Sequence, residues 1–140
     1  MDIKLISKIT KLCYENYDEK TMKHALRVAE YALDSMFASS ISREDLYITA
    51  LCHDLIEDTN VSSDDLANIL KYNSNIAYAI SLLTKPNNID YINYIKNIKA
   101  SKNQLAYCVK LADMKDHLAQ TETLTDKLKE KYLNALPYLL

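Results

Sequence analysis

In the run His53-Asp54-Leu55-Ile56-Glu57-Asp58-Thr59 one imidazole and three carboxylates fall within seven residues. The apolar segment before it, residues 46–55, has helical spacing. On a helix His53 and Glu57 share one face, and so do Asp54 and Asp58. Three acidic groups within about one turn repel each other unless something positive sits among them. Neutral imidazole and carboxylate oxygen suit a divalent ion of the Mn²⁺, Fe²⁺, Zn²⁺ or Mg²⁺ kind. A site with such ligands and open positions for water suits hydrolysis better than a closed structural role. The remaining ligands have to come from elsewhere in the chain.

The elements that would position them all read as helices. Residues 3–16 carry an apolar stripe of Ile6, Ile9, Leu12 and Cys13. A second helix of about 16 residues follows a polar break, with Met22, Ala25, Leu26, Ala29, Ala32, Leu33 and Met36 at helical spacing. His24 lies beside that stripe. Ser42 followed by Asp45 resembles a capping box opening a third helix, on which Leu46, Ala50, His53 and Glu57 form one inward stripe. Ser63 is a candidate cap for a short helix over 64–71, and Asn73 opens another that ends before Pro86. Asp90 caps a helix from Tyr91 to about 99, in which Tyr91 and Tyr94 read as core packing, with stacking on a nucleotide base as the alternative. In the next helix Leu105, Val109, Ala112, Asp113 and Asp116 lie along one stripe, drawing Asp113 to the core side. Residues 126–140 close the chain with Leu128, Tyr132, Leu133 and Leu136 inward, and Pro137 disturbs the last turn. The expected fold is an all-α single domain over residues 1–140, a bundle of six to eight helices.

Bulk properties narrow the functional classes. With 140 residues, 17 basic and 19 acidic, the net charge of −2 gives no field for nucleic acid or a membrane surface. Glycine is absent, which removes P-loops, dinucleotide fingerprints and the usual hairpin turns. Cys13, Cys52 and Cys108 are far apart within apolar patterns, so they read as buried thiols in a reducing compartment. No stretch approaches the ~20 apolar residues of a membrane span, and the first residues lack a signal-peptide pattern. A cytoplasmic protein is the expectation, with oligomeric state open.

Separate helices thus offer His24, His53 with Asp54, and Asp113. Composition and pattern leave two readings: a metal site, or core histidines with capped surface acids. The order His24, His53-Asp54, Asp113 resembles the metal-binding signature of the HD-domain phosphohydrolase superfamily. The string His53 to Thr59 is similar to the HD-x-x-E-D-T motif of the hydrolase domain in RelA/SpoT alarmone enzymes and their small stand-alone relatives. Val109-Lys110-Leu111-Ala112-Asp113 is similar to the segment bringing that family's last metal ligand. The resemblance implies an HD-domain fold with the metal in the bundle centre, and His24, His53, Asp54 and Asp113 as ligands of one ion, Mn²⁺ foremost. It implies Glu57 and Asp58 as the acidic pair that positions or activates water. The implied reaction removes a 3′-diphosphate from guanosine tetra- or pentaphosphate, a small-molecule nucleotide partner.

The chain departs from that pattern where the family contacts nucleotide. The family carries an arginine and a tyrosine shortly before its first histidine; here the chain reads Tyr17-Asp18-Glu19-Lys20-Thr21-Met22-Lys23-His24. His117 stands where an asparagine is expected. Lys23, Lys85, Lys110 and His117 are the candidates for holding phosphate. The alternatives that stay open are another HD phosphatase, such as a nucleoside monophosphate 5′-nucleotidase, a nucleotide-binding module without turnover, and a structural helical protein without metal.

Overall fold

A computed structural model describes residues 2–71 and 73–140. Among the described residues there is no strand. Eight helices of eight residues or more and one isolated helical turn make up the fold, all-α as expected: α1 (Ile3–Asn16), α2 (Glu19–Asp34), α3 (Arg43–Cys52), the turn α4 (Leu55–Asp58), α5 (Ser63–Leu70), α6 (Ser74–Leu83), α7 (Tyr91–Ser101), α8 (Gln104–Ala119) and α9 (Asp126–Leu139). A short 3₁₀ segment, Ala38–Ser40, joins α2 to α3.

Each long helix starts on a side chain that accepts a hydrogen bond from a first-turn N–H: Asp2, Asp18, Ser42, Ser62, Asn73, Asp90, Asn103 and Thr125. Such caps satisfy amide donors that a helix start otherwise leaves free, each worth about 1 kcal/mol. Ser62, one residue earlier than expected, caps α5, because Ser62 and Asp65 close a reciprocal capping box there. At α3 only half of such a box forms. Ser42 accepts from the Asp45 amide, while the Asp45 carboxylate accepts from the Asn73 side chain and ties α3 to the start of α6.

α2, α3 and α8 pack against one another at the centre, with α6 on α3 and α8, α1 on α3, and the α7–α9 pair leaning on α8. Ile9, Ala25, Val28, Leu46, Ile48, Leu51, Ile80, Ile95, Val109 and Met114 fill the space between them, all with at most 1% of their surface exposed. The three cysteines are buried free thiols. No described helix is long and apolar enough to cross a membrane. On α9 the inward residues are Tyr132, Ala135 and Leu139; Leu128 and Leu133, expected inward, face out. α9 packs along α7 and α8 with one narrow stripe, on which Leu136 is partly covered, so Leu128 and Leu133 have nothing to cover them. Pro137 lies inside the last turn without ending it.

The important departure is in the signature run itself. The helix expected to continue to residue 55 stops at Cys52, and His53 and Asp54 form a turn before α4. The His53 ring Nδ1 lies 2.6 Å from the Ala50 carbonyl. That carbonyl would accept the Asp54 amide in an unbroken helix, so the side chain competes with the backbone ladder and wins. The helix restarts with the Asp58 amide donating to the Asp54 carbonyl. Leu46, Ala50 and His53 stay buried, but Glu57 is turned out of that stripe and is exposed.

Candidate metal centre and its cleft

α2, the α3–α4 turn and α8 converge on one point. His24, His53, Asp54 and Asp113 each present one ligand atom there, all within 4.8 Å of one another. The His24 Nε2 is 2.8 Å and the His53 Nε2 3.1 Å from Asp113 Oδ1; Asp54 Oδ2 is 3.1 Å from His53 Nε2 and 3.6 Å from His24 Nε2. Metal bonds of about 2.0–2.2 Å put neighbouring ligand atoms roughly 3.0–3.4 Å apart, so these spacings fit one ion.

The hydrogen bonds behind the ligands support the same conclusion. A carbonyl only accepts, so His53 Nδ1 must carry the proton it gives to Ala50. His24 Nδ1 donates likewise to Asp116 Oδ2 at 2.6 Å. With both Nδ1 atoms protonated, each neutral ring points an Nε2 lone pair at a carboxylate oxygen. That arrangement is repulsive without a cation, either a metal or a second proton on each ring. Burial pushes both imidazoles down, but Asp113 and Asp116 raise His24 overall, and Asp54 and Asp113 lift His53 well above the usual range. Burial likewise works to raise Asp113, yet Lys110 and the three histidines hold it well below the usual carboxylate range. Asp54 ends lowered too, with His53 outweighing burial. Two imidazoles and two carboxylates are a donor set for a first-row divalent ion.

Two residues assigned no role from sequence build the support behind His24. Asp116, buried on α8, accepts from the ring and is itself clamped by Arg27, whose Nε and Nη2 lie 2.8 and 3.1 Å away. This carboxylate fixes the ring's tautomer and orientation, as outer partners of metal-bound histidines commonly do. Asp116→Ala should therefore weaken Mn²⁺ binding by about 10–100-fold with the ligand set intact. Metal titration by calorimetry measures this, and an unchanged affinity would remove Asp116 from the site. The available signal was spacing: Asp116 is one turn after Asp113, as Arg27 is one turn after His24.

The cluster forms one end of a cleft of about 520 Å³ between α4, the loop after α6, α7, α8 and α9. Of the residues singled out from sequence, Asp54, Glu57, Lys85, Lys110, Asp113 and His117 line it. Glu57 accepts the Lys85 backbone N–H, which ties α4 to the far rim. Burial, with Asp54 nearby, raises its carboxyl above the usual value despite that bond. Lys110 is buried, its Nζ 2.9 Å from Asp113 Oδ2 and over the rings of Tyr91 and Tyr94. The Lys85 ammonium bonds to the Pro86 and Ile89 carbonyls. His117 lies 3.3 Å from Asp113 Oδ1 and stacks parallel on Tyr132 at 4.8 Å.

His24 and His53 sit behind the cleft lining, and Asp58 and Lys23 lie away from it altogether. Asp58 is exposed beyond it, its carboxyl raised by partial burial and then by Asp54. Lys23 points to solvent on α2, paired with Glu19 at 3.0 Å, in a separate surface groove. It faces solvent because the inward face of α2 at that turn is already taken by Met22 and His24. Both tyrosines line the cleft; Tyr94 is buried, as expected, its hydroxyl donating to the Leu83 carbonyl, while Tyr91 is only partly buried.

The same arrangement of helices occurs in a solved structure, that of a metazoan orthologue of SpoT described as hydrolysing ppGpp and playing a role in starvation responses. The two superpose with a TM-score of 0.74 at 17% identity, over 99% of this chain and 86% of the other. The chain has a SpoT-like HD fold. No family model and no curated protein matches it by sequence. In the HD fold, then, the His/Asp cluster sits where α2, α3 and α8 meet, and it could hold a divalent ion.

Proposed function

We propose that this chain is a metal-dependent phosphohydrolase acting on a nucleotide, and that its reaction is removal of a 3′-diphosphate from a guanosine tetra- or pentaphosphate. The observation that carries this reading is the convergence of four metal-ligand atoms at the end of a cleft that also holds Glu57 and three lysine side chains. His24, His53, Asp54 and Asp113 would hold the ion, Mn²⁺ foremost. A divalent ion there supplies Lewis acidity toward a phosphoryl oxygen and an attacking water.

The chain's own residues do the rest. Glu57, on the short α4 and open to the cleft, takes the proton from the attacking water; partial burial keeps its basicity above that of an ordinary glutamate. Asp58 shapes the local field from outside the cleft. Lys110 and Lys85 balance phosphate charge, and His117 contacts the transferred phosphoryl group from beside Asp113. Water attacks phosphorus, the bond to the 3′ oxygen breaks, and pyrophosphate leaves with GDP or GTP as the other product. Buried free thiols and a nucleotide substrate both fit a cytoplasmic setting.

One observation favours a second reading within the same chemistry. His117 replaces the asparagine expected by resemblance, and no arginine precedes His24, which supports a differently shaped nucleotide such as a nucleoside monophosphate. A Mn²⁺-supplemented hydrolysis panel including guanosine tetraphosphate, with pyrophosphate and orthophosphate quantified separately, distinguishes the two. Pyrophosphate from the tetraphosphate is expected. Orthophosphate from nucleoside monophosphates would establish the nucleotidase reading, and bound metal without turnover of any nucleotide would overturn both.

A further inference from the structure

The cleft's charges do not balance around the metal ligands alone. Asp54 and Asp113 would offset a divalent ion, leaving Glu57 as the one further cleft carboxylate against Lys85, Lys110 and Lys131. Two of these ammoniums are engaged: Lys110 by Asp113 Oδ2, Lys85 by two carbonyls of its own loop. Lys131, on α9, makes no ion pair and no hydrogen bond among the described residues. It lies 4.4 Å from the centroid of the Tyr91 ring and 5.4 Å from that of Tyr132. Lys131 is exposed at the cleft rim, and its partial burial, then Lys110 and Lys85, push its ammonium below the usual lysine range against the opposing pull of Asp113 and Glu57.

Beside it is a second unspent donor. The Tyr91 hydroxyl is buried without a hydrogen-bond partner, the one such side-chain atom among the described residues. Lys110 is close enough to draw the phenol's pKa down, but burial wins and pushes it up to about 12, so the hydroxyl keeps its proton. A buried O–H without an acceptor is costly, and the exposed Lys131 ammonium over the same ring is free of any protein partner among the described residues. An anion with several acceptor oxygens, entering between them, satisfies both.

We infer that Lys131 and the Tyr91 hydroxyl form a second anion subsite, which holds a phosphate of the substrate other than the one cleaved. The inference rests on the phosphohydrolase reading for its substrate and names a feature that reading leaves open: a nucleotide with phosphates on two sides, one directed to the metal ligands and one to the α7–α9 wall. Lys131 lies outside the recognised motifs and on a helix that contributes no metal ligand, so the subsite is separable from the reacting centre.

The test uses calorimetry on Mn²⁺-loaded protein carrying Glu57→Gln to suppress turnover. Guanosine tetraphosphate, phosphorylated on two sides, is compared with guanosine 3′-monophosphate, phosphorylated on one. Adding Lys131→Met should weaken the tetraphosphate by about tenfold and leave the monophosphate within about twofold, and Lys131→Arg should restore it. Tyr91→Phe should weaken the tetraphosphate by roughly threefold without lowering the melting temperature, since it removes an unsatisfied group. Equal loss for both nucleotides, no loss for either, or no binding of the tetraphosphate overturns the subsite. Selective loss in a protein whose unsubstituted form hydrolyses nothing keeps the subsite and overturns the hydrolase reading instead.

Discussion

Asp54→Ala is expected to abolish metal binding and hydrolysis together. Asp54 supplies one of two carboxylate ligand atoms, and its Oδ2 faces both imidazole Nε2 atoms, at 3.1 and 3.6 Å. Removing it leaves His24, His53 and Asp113, a set with one negative charge fewer and an open side. The loss should exceed the ~10–100-fold expected on removing Asp116, which holds the His24 ring from behind. Folding should survive, because Asp54 sits in the turn between α3 and α4, and its backbone carbonyl, which restarts the helix, is kept. Mn²⁺ titration of the folded variant, alongside its activity, checks both parts. Full activity in Asp54→Ala would sink the assignment of the site.

The parts of this arrangement that were legible in sequence are those where spacing and chemistry coincide. Three helices could be drawn around His24, His53 and Asp113 because their apolar stripes are clean, and the structure does bring the four candidate ligands to one point. The break at His53 was not legible. It depends on a ring nitrogen capturing the Ala50 carbonyl, which no periodicity records. Lys110 could equally have been solvated on its pattern; it is buried because α8 runs through the centre of the bundle and is covered on nearly every side. Lys131 and Tyr91 meet only because α7 and α9 pair, a contact between helices far apart in the chain. Arg27 was visible only as one of two arginines, since its partner Asp116 is brought to it by the α2–α8 packing.

Glu57→Gln separates holding the metal from moving the proton. The side chain is not among the four ligand atoms, so Mn²⁺ affinity should stay near that of the unsubstituted protein. Turnover should fall by roughly 10²–10⁴-fold, the range lost with a positioned general base. The pH profile carries an independent sign. Burial raises the Glu57 carboxyl above its ordinary 4.5, so the base is lost as pH falls through a value higher than that. The unsubstituted enzyme should therefore show an acidic limb displaced upward, and the variant's residual rate should lack it. Stability moves the other way. A carboxyl whose folded value is raised binds protons more readily folded than unfolded, so stability declines as pH rises through that window. Glutamine removes this penalty, and melting at neutral pH should be unchanged or higher. A near-unsubstituted rate in Glu57→Gln would transfer the proton to Asp58, the other acid of the run, despite its place outside the cleft lining; a melting temperature that drops with the rate would make Glu57 a strut for the Lys85 loop through the backbone N–H it accepts.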